Sequence, residues 1–315
     1  MKERLLGILC CPKCKADFEL VVSGSSGGEV KEGTLKCRGC GDTYEVRNFI
    51  PRFVESDKYV GNFSFEWLFY KRTQLDSHNR TSGSLDSFVQ KTGFTPAELK
   101  DRLVLDVGCG TGRYMEIAAG GGAEVVGVDL SYSVESAVEN MRGRQNTNVV
   151  QADIFNLPFK PGIFDFIYSI GVLHHTPDTR KAFLSIVPLL RVKGNISIWV
   201  YSNESWFEHM RNACTDFYRI FTTRMPVRLL WLLCHLAIPL YYLKKMGKFG
   251  QIFEIFLPSA NTPDVEERVL DTFDWYSPKY QFKHTYAEVE GWFTEAGLTS
   301  RRLGFSVAVT GSRPV

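Results

Sequence analysis

The sequence predicts a doubly wound α/β fold, on three observations: an apolar run meeting a Gly-rich turn at 103–112, a second apolar run ending in an acid at 124–129, and two more apolar runs, one ending at 149–154 and one opening at Phe164. The first run reads Leu-Val-Leu-Asp106-Val-Gly108-Cys109-Gly110-Thr-Gly112 and passes into a helix. Glycines at alternate positions let the backbone approach a ligand closely, and the helix N-terminus favours an anionic group there. A dinucleotide fingerprint would need a glycine at 113, where arginine stands, so the spacing argues against NAD. Asp129 ends the second run, where an acid at a strand tip can accept both hydroxyls of a ribose. Asp153 and Ile154 end the third run, and the fourth leads to His174 and His175. Ligands in this fold gather at the carboxyl ends of the strands.

A fifth strand is expected over 195–201, and the elements that complete such a sheet come late. Residues 285–295 have helical spacing of Val289, Trp292 and Phe293 and stop at Gly297, with strands expected at 298–303 and 305–310. The stretch 202–284 is therefore an insertion, expected to form a helical lid that selects the substrate.

Ahead of the sheet lie Cys11-Pro-Lys-Cys14 and Cys37-Arg-Gly-Cys40, separated by a Ser/Gly-rich hairpin tip at 23–28. Four thiolates close a tetrahedral site with no open position, which suits a structural zinc whose binding supplies the folding energy so short a segment lacks. Cys10 is either a buried neighbour or a substitute for Cys11 as ligand. The chain divides into a ribbon at 1–58, an aromatic N-terminal lid or linker at 59–98 containing Trp67, a cofactor-binding core at 99–201, the insertion at 202–284, and a closing unit at 285–315.

Two resemblances sharpen this. Asp-Val-Gly-Cys-Gly-Thr-Gly (106–112), Val-Asp-Leu-Ser (128–131), Ala-Asp-Ile-Phe-Asn-Leu-Pro-Phe (152–159) and Gly-Val-Leu-His-His (171–175) resemble, in order, the class I S-adenosylmethionine-dependent methyltransferases of the ubiquinone-biosynthesis type. That resemblance implies a seven-stranded sheet and S-adenosylmethionine as cofactor. Asp106 and the backbone of Gly108, Cys109, Gly110 and Gly112 would hold its methionine end, Asp129 its ribose, and Asp153, with Ile154 nearby, its adenine, and Leu130 and Ser169 would be further cofactor-binding residues. The family's Lys-Pro-Gly-Gly turn is replaced by Val-Lys-Gly-Asn at 192–195. The cysteine knuckles, with Leu-Leu-Gly-Ile-Leu (5–9) and Phe-Ile-Pro-Arg-Phe (49–53), resemble the small zinc-ribbon activators of methyltransferases, which are separate chains but here precede the core in one chain.

The 315 residues carry a formal charge of +2, and 1–58 holds ten basic and nine acidic side chains, so no strongly basic body or ribbon argues for nucleic acid. Two C-x-x-C pairs with scattered single cysteines point to a reducing cytoplasm. The apolar run 229–243 is interrupted by His235 and Pro239 and is shorter than a bilayer span, so no crossing is expected. Within the insertion Arg224, Arg228, His235 and Tyr242 share a helical stripe opposite an apolar face; 224–246 either packs on the core or on a second copy, or lies on a membrane or over a lipid-like substrate. His174 or His175 is the candidate general base, with a loop-structuring role as the alternative for each. Asp274, Tyr276, Tyr280 and His284 either line the acceptor pocket or form surface turns. The expected function is methyl transfer to a small-molecule or lipid-linked acceptor, at oxygen, in a biosynthetic pathway, by a cytoplasmic enzyme, with peripheral membrane contact through 224–246 as one of the alternatives above. The alternatives are a zinc-ribbon RNA methyltransferase and a non-catalytic cofactor-binding scaffold.

Overall fold

The computed structural model describes residues 1–56 and 59–315. The boundary expected at residue 58 and the side chain of Trp67 lie outside the described residues. Eleven strands form one mixed sheet: β1 (Phe18–Ser26), β2 (Glu29–Cys37), β3 (Thr43–Arg47), β4 (Ile50–Arg52), β5 (Leu103–Val107), β6 (Glu124–Asp129), β7 (Thr147–Gln151), β8 (Phe164–Ile170), β9 (Leu190–Val200), β10 (Arg301–Arg302) and β11 (Val307–Ser312). Their order is β1-β2-β3-β4-β7-β6-β5-β8-β9-β11-β10. The strands from β7 to β9 run parallel, and β11 returns antiparallel beside β9.

This corrects the seven-stranded expectation. Seven strands form the core, but the ribbon adds four at its edge through the parallel pair Arg52↔Gln151. Arg52 Nη1 donates to Gln151 Oε1 at 2.6 Å, Arg52 also pairs with Glu135, and Phe53 N donates to Gln151 O at 2.8 Å. A second seam joins Cys10 N to Pro158 O at 2.9 Å and Lys160 N to Ile8 O at 3.0 Å. Leu5, Leu9, Leu35 and Val46 of the ribbon share one apolar cluster with Val126, Val150 and Phe159 of the core. Among the described residues, the ribbon's buried leucine, isoleucine, valine and phenylalanine side chains belong to clusters shared with the core.

Other elements shift in detail. The strand expected at 298–303 shrinks to two residues, because Leu298 turns inward and Gly304 reverses the chain with positive φ. β7 ends at Gln151, so Asp153 caps the following turn instead of ending a strand. β9 starts at Leu190 and runs through 192–195, where Lys193 takes φ 64, so the altered sequence there is a distortion within a strand.

The insertion leaves and rejoins the core at one point, the bridge Ser202↔His284, with His284 N donating to Tyr201 O at 2.8 Å. Between lie helices Trp206–Thr222, Val227–Cys234, Ala237–Lys244, Gly247–Phe256 and Val265–Tyr276. The apolar run is longer than the sequence reading allowed: Val227–Lys244 spans 18 residues at mean hydropathy 1.3 with 28% buried, enough by length and composition to cross a membrane. One side of it is committed to protein, since Leu230 and Cys234 pack on Val269 and Phe273.

Candidate functional site

A cavity of about 460 Å³ opens at the carboxyl ends of β5, β6 and β8. Its floor is the β5 turn: Val107, Gly108, Cys109, Gly110 and Thr111. Gly108 has φ +80, and a Cβ there would lie 2.3 Å from Val172 Cγ2, so only glycine leaves the turn in place. Gly108 N and Cys109 N both donate to Val128 O, at 2.7 and 3.1 Å, tying the turn to β6.

Asp129 lines the cavity and accepts from Gly110 N at 2.9 Å, Ser131 N at 2.8 Å and Ser131 Oγ at 2.7 Å. A carboxylate offers about four acceptor positions, so a further bond to a ribose hydroxyl can be made. Burial pushes its carboxyl up, opposed by the Ser131 and Gly110 hydrogen bonds. Leu130 and Ile154 line the cavity as well, and Tyr59, Val60 and Phe63 of the lid segment approach it from outside.

Four expected contacts lie behind that surface. Ser169 Oγ donates to Val107 O at 2.9 Å from a fully buried position, so it supports the turn from beneath. Gly112, at φ +89, starts helix Arg113–Gly120. Asp153 caps the Ile154–Asn156 turn through Phe155 N at 3.1 Å. Asp106 is 2% exposed and accepts from Tyr168 Oη at 3.0 Å; burial pushes its carboxyl up to about 8.

That shift has a pH signature in the cofactor-free chain. The folded value lies above the unfolded one of 3.8, so the folded form binds the extra proton, and stability falls as pH rises from about 4 to about 8. Asp106→Asn keeps an acceptor for Tyr168 without the charge. Thermal melts should show the variant gaining on the parent across that window, by several kcal/mol on the order of about 1.4 per unit, then levelling off. A gap that stays constant with pH would refute it.

Opposite the turn, helix Val265–Tyr276 brings Glu267, Asp271 and Asp274 to the cavity at spacings of four and three. Its other face, with Val269 and Phe273, packs on Leu230 and Cys234 of helix Val227–Cys234. Burial pushes Asp271 up to about 6, with Glu267 adding to it. Behind Asp274 sits the fully buried Glu66. Burial pushes both carboxyls up, and the neighbouring Asp274 drives Glu66 higher still. Glu267 and Asp271 are site residues absent from the expectations above, although their helical spacing with Asp274 is legible in the sequence.

The two histidines part company. His175 lines the cavity, with Phe63 at 5.2 Å between ring centroids, and its Nδ1 lies 3.0 Å from Tyr280 O. That bond places the ring proton on Nδ1, and burial lowers its pKa to about 3. His174 is fully buried outside the cavity lining, 4.0 Å from the Tyr201 ring. Tyr276 donates to Pro258 O at 2.5 Å and His284 Nε2 meets Thr179 Oγ1 at 3.0 Å, so of the four connector candidates Asp274 is the one whose side chain reaches the cavity wall, while Tyr280 serves through its carbonyl.

The Sγ atoms of Cys11, Cys14, Cys37 and Cys40 lie within 4.8 Å of one another. Gly39 N and Cys40 N each donate to Cys37 Sγ at 3.4 Å, and these bonds, that from Cys40 first, lower its thiol to about 6. Four convergent thiols of which one is already thiolate-prone fit a zinc ion. Cys10 is buried beyond the cluster, and burial pushes its thiol up, which settles the choice for Cys11.

A cavity at the strand ends of a doubly wound sheet, in a chain that also carries a closed four-thiol knuckle, defines the class: a cofactor-binding α/β domain carrying a zinc ribbon. Residues 105–198 match the methyltransferase domain family, and residues 2–48 match the Trm112p-like protein family. The chain therefore carries a methyltransferase domain behind a Trm112p-like ribbon, with S-adenosylmethionine and a structural zinc as their cofactors. It is similar to the probable tRNA methyltransferase 9B of Homo sapiens (34% identity, 34% of this chain, 23% of that protein). The tRNA U34 carboxymethyltransferase of Psychromonas ingrahamii is 45% identical over 43% of this chain and 39% of its own. The ubiquinone biosynthesis O-methyltransferase of Coxiella burnetii is 36% identical over 31% and 43%. The chain thus spans 23–43% of the length of these relatives. Among solved structures, the complex between the Haloferax volcanii Trm112 methyltransferase activator and a methyltransferase aligns at TM-score 0.43 with 14% identity, over 76% of this chain and 96% of that one.

Proposed function

We propose that the chain transfers a methyl group from S-adenosylmethionine to a hydroxyl of a small, lipid-linked acceptor. The observation that carries this reading is the cavity itself, which runs from the Gly108 turn to the acidic and aromatic wall of the insertion. When bound, the cofactor supplies an electrophilic methyl on a positively charged sulfur. Asp129 would hold its ribose, Ile154 would border its adenine, and the 108–111 backbone would seat its methionine end. His174 lacks access, and His175 is too weak a base at neutral pH once its value falls to about 3. Asp274 and Asp271, both raised by burial at the cavity wall, supply the base for an acceptor hydroxyl.

An RNA acceptor is the second reading, favoured by the relatives named for tRNA. Against it, Asp129, Glu267, Asp271 and Asp274 face the cavity, where among the described residues the cations are Lys91 and Arg113, and Lys91 Nζ is stacked 4.0 Å over Trp199. A polyanion meets repulsion there. Labelled cofactor offered to lipid extract, small metabolites and total RNA decides between them. Label is expected in the lipid fraction, and Asp274→Asn should lower transfer roughly 100-fold with cofactor affinity intact. Label in RNA alone would overturn the proposal.

A further inference from the structure

The outer face of the insertion is used neither by the fold nor by the cavity. On helix Trp206–Thr222 the side chains of Trp206, Met210, Phe217, Ile220 and Phe221 point to solvent, Trp206 with 72% of its surface exposed. The face continues over the next helices through Leu229, Leu232, Leu236 and Tyr242, with Leu232 60% and Tyr242 65% exposed. Soluble monomers rarely leave an apolar patch of more than a few hundred Å² uncovered.

Its charge is one-sided. No Asp or Glu occurs from Phe217 to Phe253, whereas Arg224, Arg228 and Lys245 are exposed along it. The exposed acid beside it, Asp216, is taken up by Lys283 and Arg219, so a second copy docking through this face by two-fold symmetry would set Arg224, Arg228 and Lys245 against a surface with no free acid among its described residues over 217–253. A surface of negative charge over an apolar interior answers both features at once.

We infer that the insertion docks on the surface of an anionic lipid bilayer, lying in the headgroup layer with its apolar side chains inserted. It does not cross. Leu230 and Cys234 are packed on Val269 and Phe273, and buried Lys244 donates to Ser259 O at 2.6 Å, so one side of Val227–Lys244 is held by protein and cannot be ringed by lipid. Helix Val265–Tyr276 lies between, one side on Val227–Cys234 and the other bearing Asp271 and Asp274 on the cavity. The site thus stands about one helix diameter, roughly 10 Å, behind the docking helices, within reach of a headgroup raised from the bilayer. This deepens the lipid-linked reading of the acceptor, while the docking itself does not depend on the reaction.

The test uses the full zinc-loaded chain with extruded vesicles of phosphatidylcholine alone and of equimolar phosphatidylcholine and phosphatidylglycerol. Co-flotation with the anionic vesicles is expected, weakened by high salt. Arg224→Glu with Arg228→Glu should lower partitioning roughly tenfold or more. Leu232→Asp with Leu236→Asp, both at exposed positions, should abolish it, with circular dichroism and S-adenosylmethionine titration unchanged in every variant. That titration separates the two ideas: lost cofactor binding in the parent chain would sink the methyltransferase reading, and absent flotation would sink the docking. A stable dimer in solution that the leucine variant splits, with no flotation by the parent, would assign the face to a second copy and overturn the inference.

Discussion

Chelating the metal, or replacing Cys11 or Cys37 by serine, is expected to unfold more than the ribbon. Binding of structural zinc contributes on the order of 10 kcal/mol in small knuckles, comparable to the whole stability of a typical domain. Here that energy is not confined to residues 2–48. Leu5, Leu9, Leu35 and Val46 share their apolar cluster with the core strands, and β4 covers the edge of β7. Removing the metal therefore uncovers both a strand edge and part of the main core. Zinc content should fall from one per chain to none, with loss of the cooperative thermal transition or of soluble protein. Cys10→Ser is the control and should keep its zinc, because Cys10 stands outside the cluster. A zinc-free chain that melts within a degree or two of the parent would refute the structural role.

The second large effect belongs to Asp129. Its carboxylate fixes Gly110 N and Ser131 and is proposed to take the ribose hydroxyls. Hydrogen bonds to charged groups contribute about 1.5–3 kcal/mol each, so losing two of them in Asp129→Ala should weaken S-adenosylmethionine binding roughly 100-fold or more by calorimetry. Asp129→Asn should do little better, since an amide turns a donor towards Gly110 N–H or Ser131 N–H. An affinity within threefold of the parent would remove Asp129 from the cofactor site.

These two sites were legible because their determinants are local. Two C-x-x-C knuckles and a Gly-rich turn followed by an acid-ended strand each depend on a few neighbouring residues. The junction between them was not. Arg52 and Gln151 pair across 99 positions, and nothing in Ile-Pro-Arg announces a parallel partner so distant. Likewise His174 and His175 are adjacent in a tight turn, where which ring meets the cavity depends on the packing of Tyr201 and Tyr280 from remote segments. The acidic stripe of Glu267, Asp271 and Asp274 had a readable helical period, but its meaning required knowing that this helix faces the β5 turn across the cavity. Seven strands became eleven for the same reason: sheet continuity is decided by edges, which sequence patterns do not mark.

The parallel pairing of β4 with β7 also orders events during synthesis. The ribbon leaves the ribosome about 100 residues ahead of the strand that will accept it, so its four thiols meet the cell's free zinc before any core exists to shelter Leu5, Leu9 and Leu35. Zinc present during translation is therefore expected to raise the yield of folded chain more than the same zinc added afterwards.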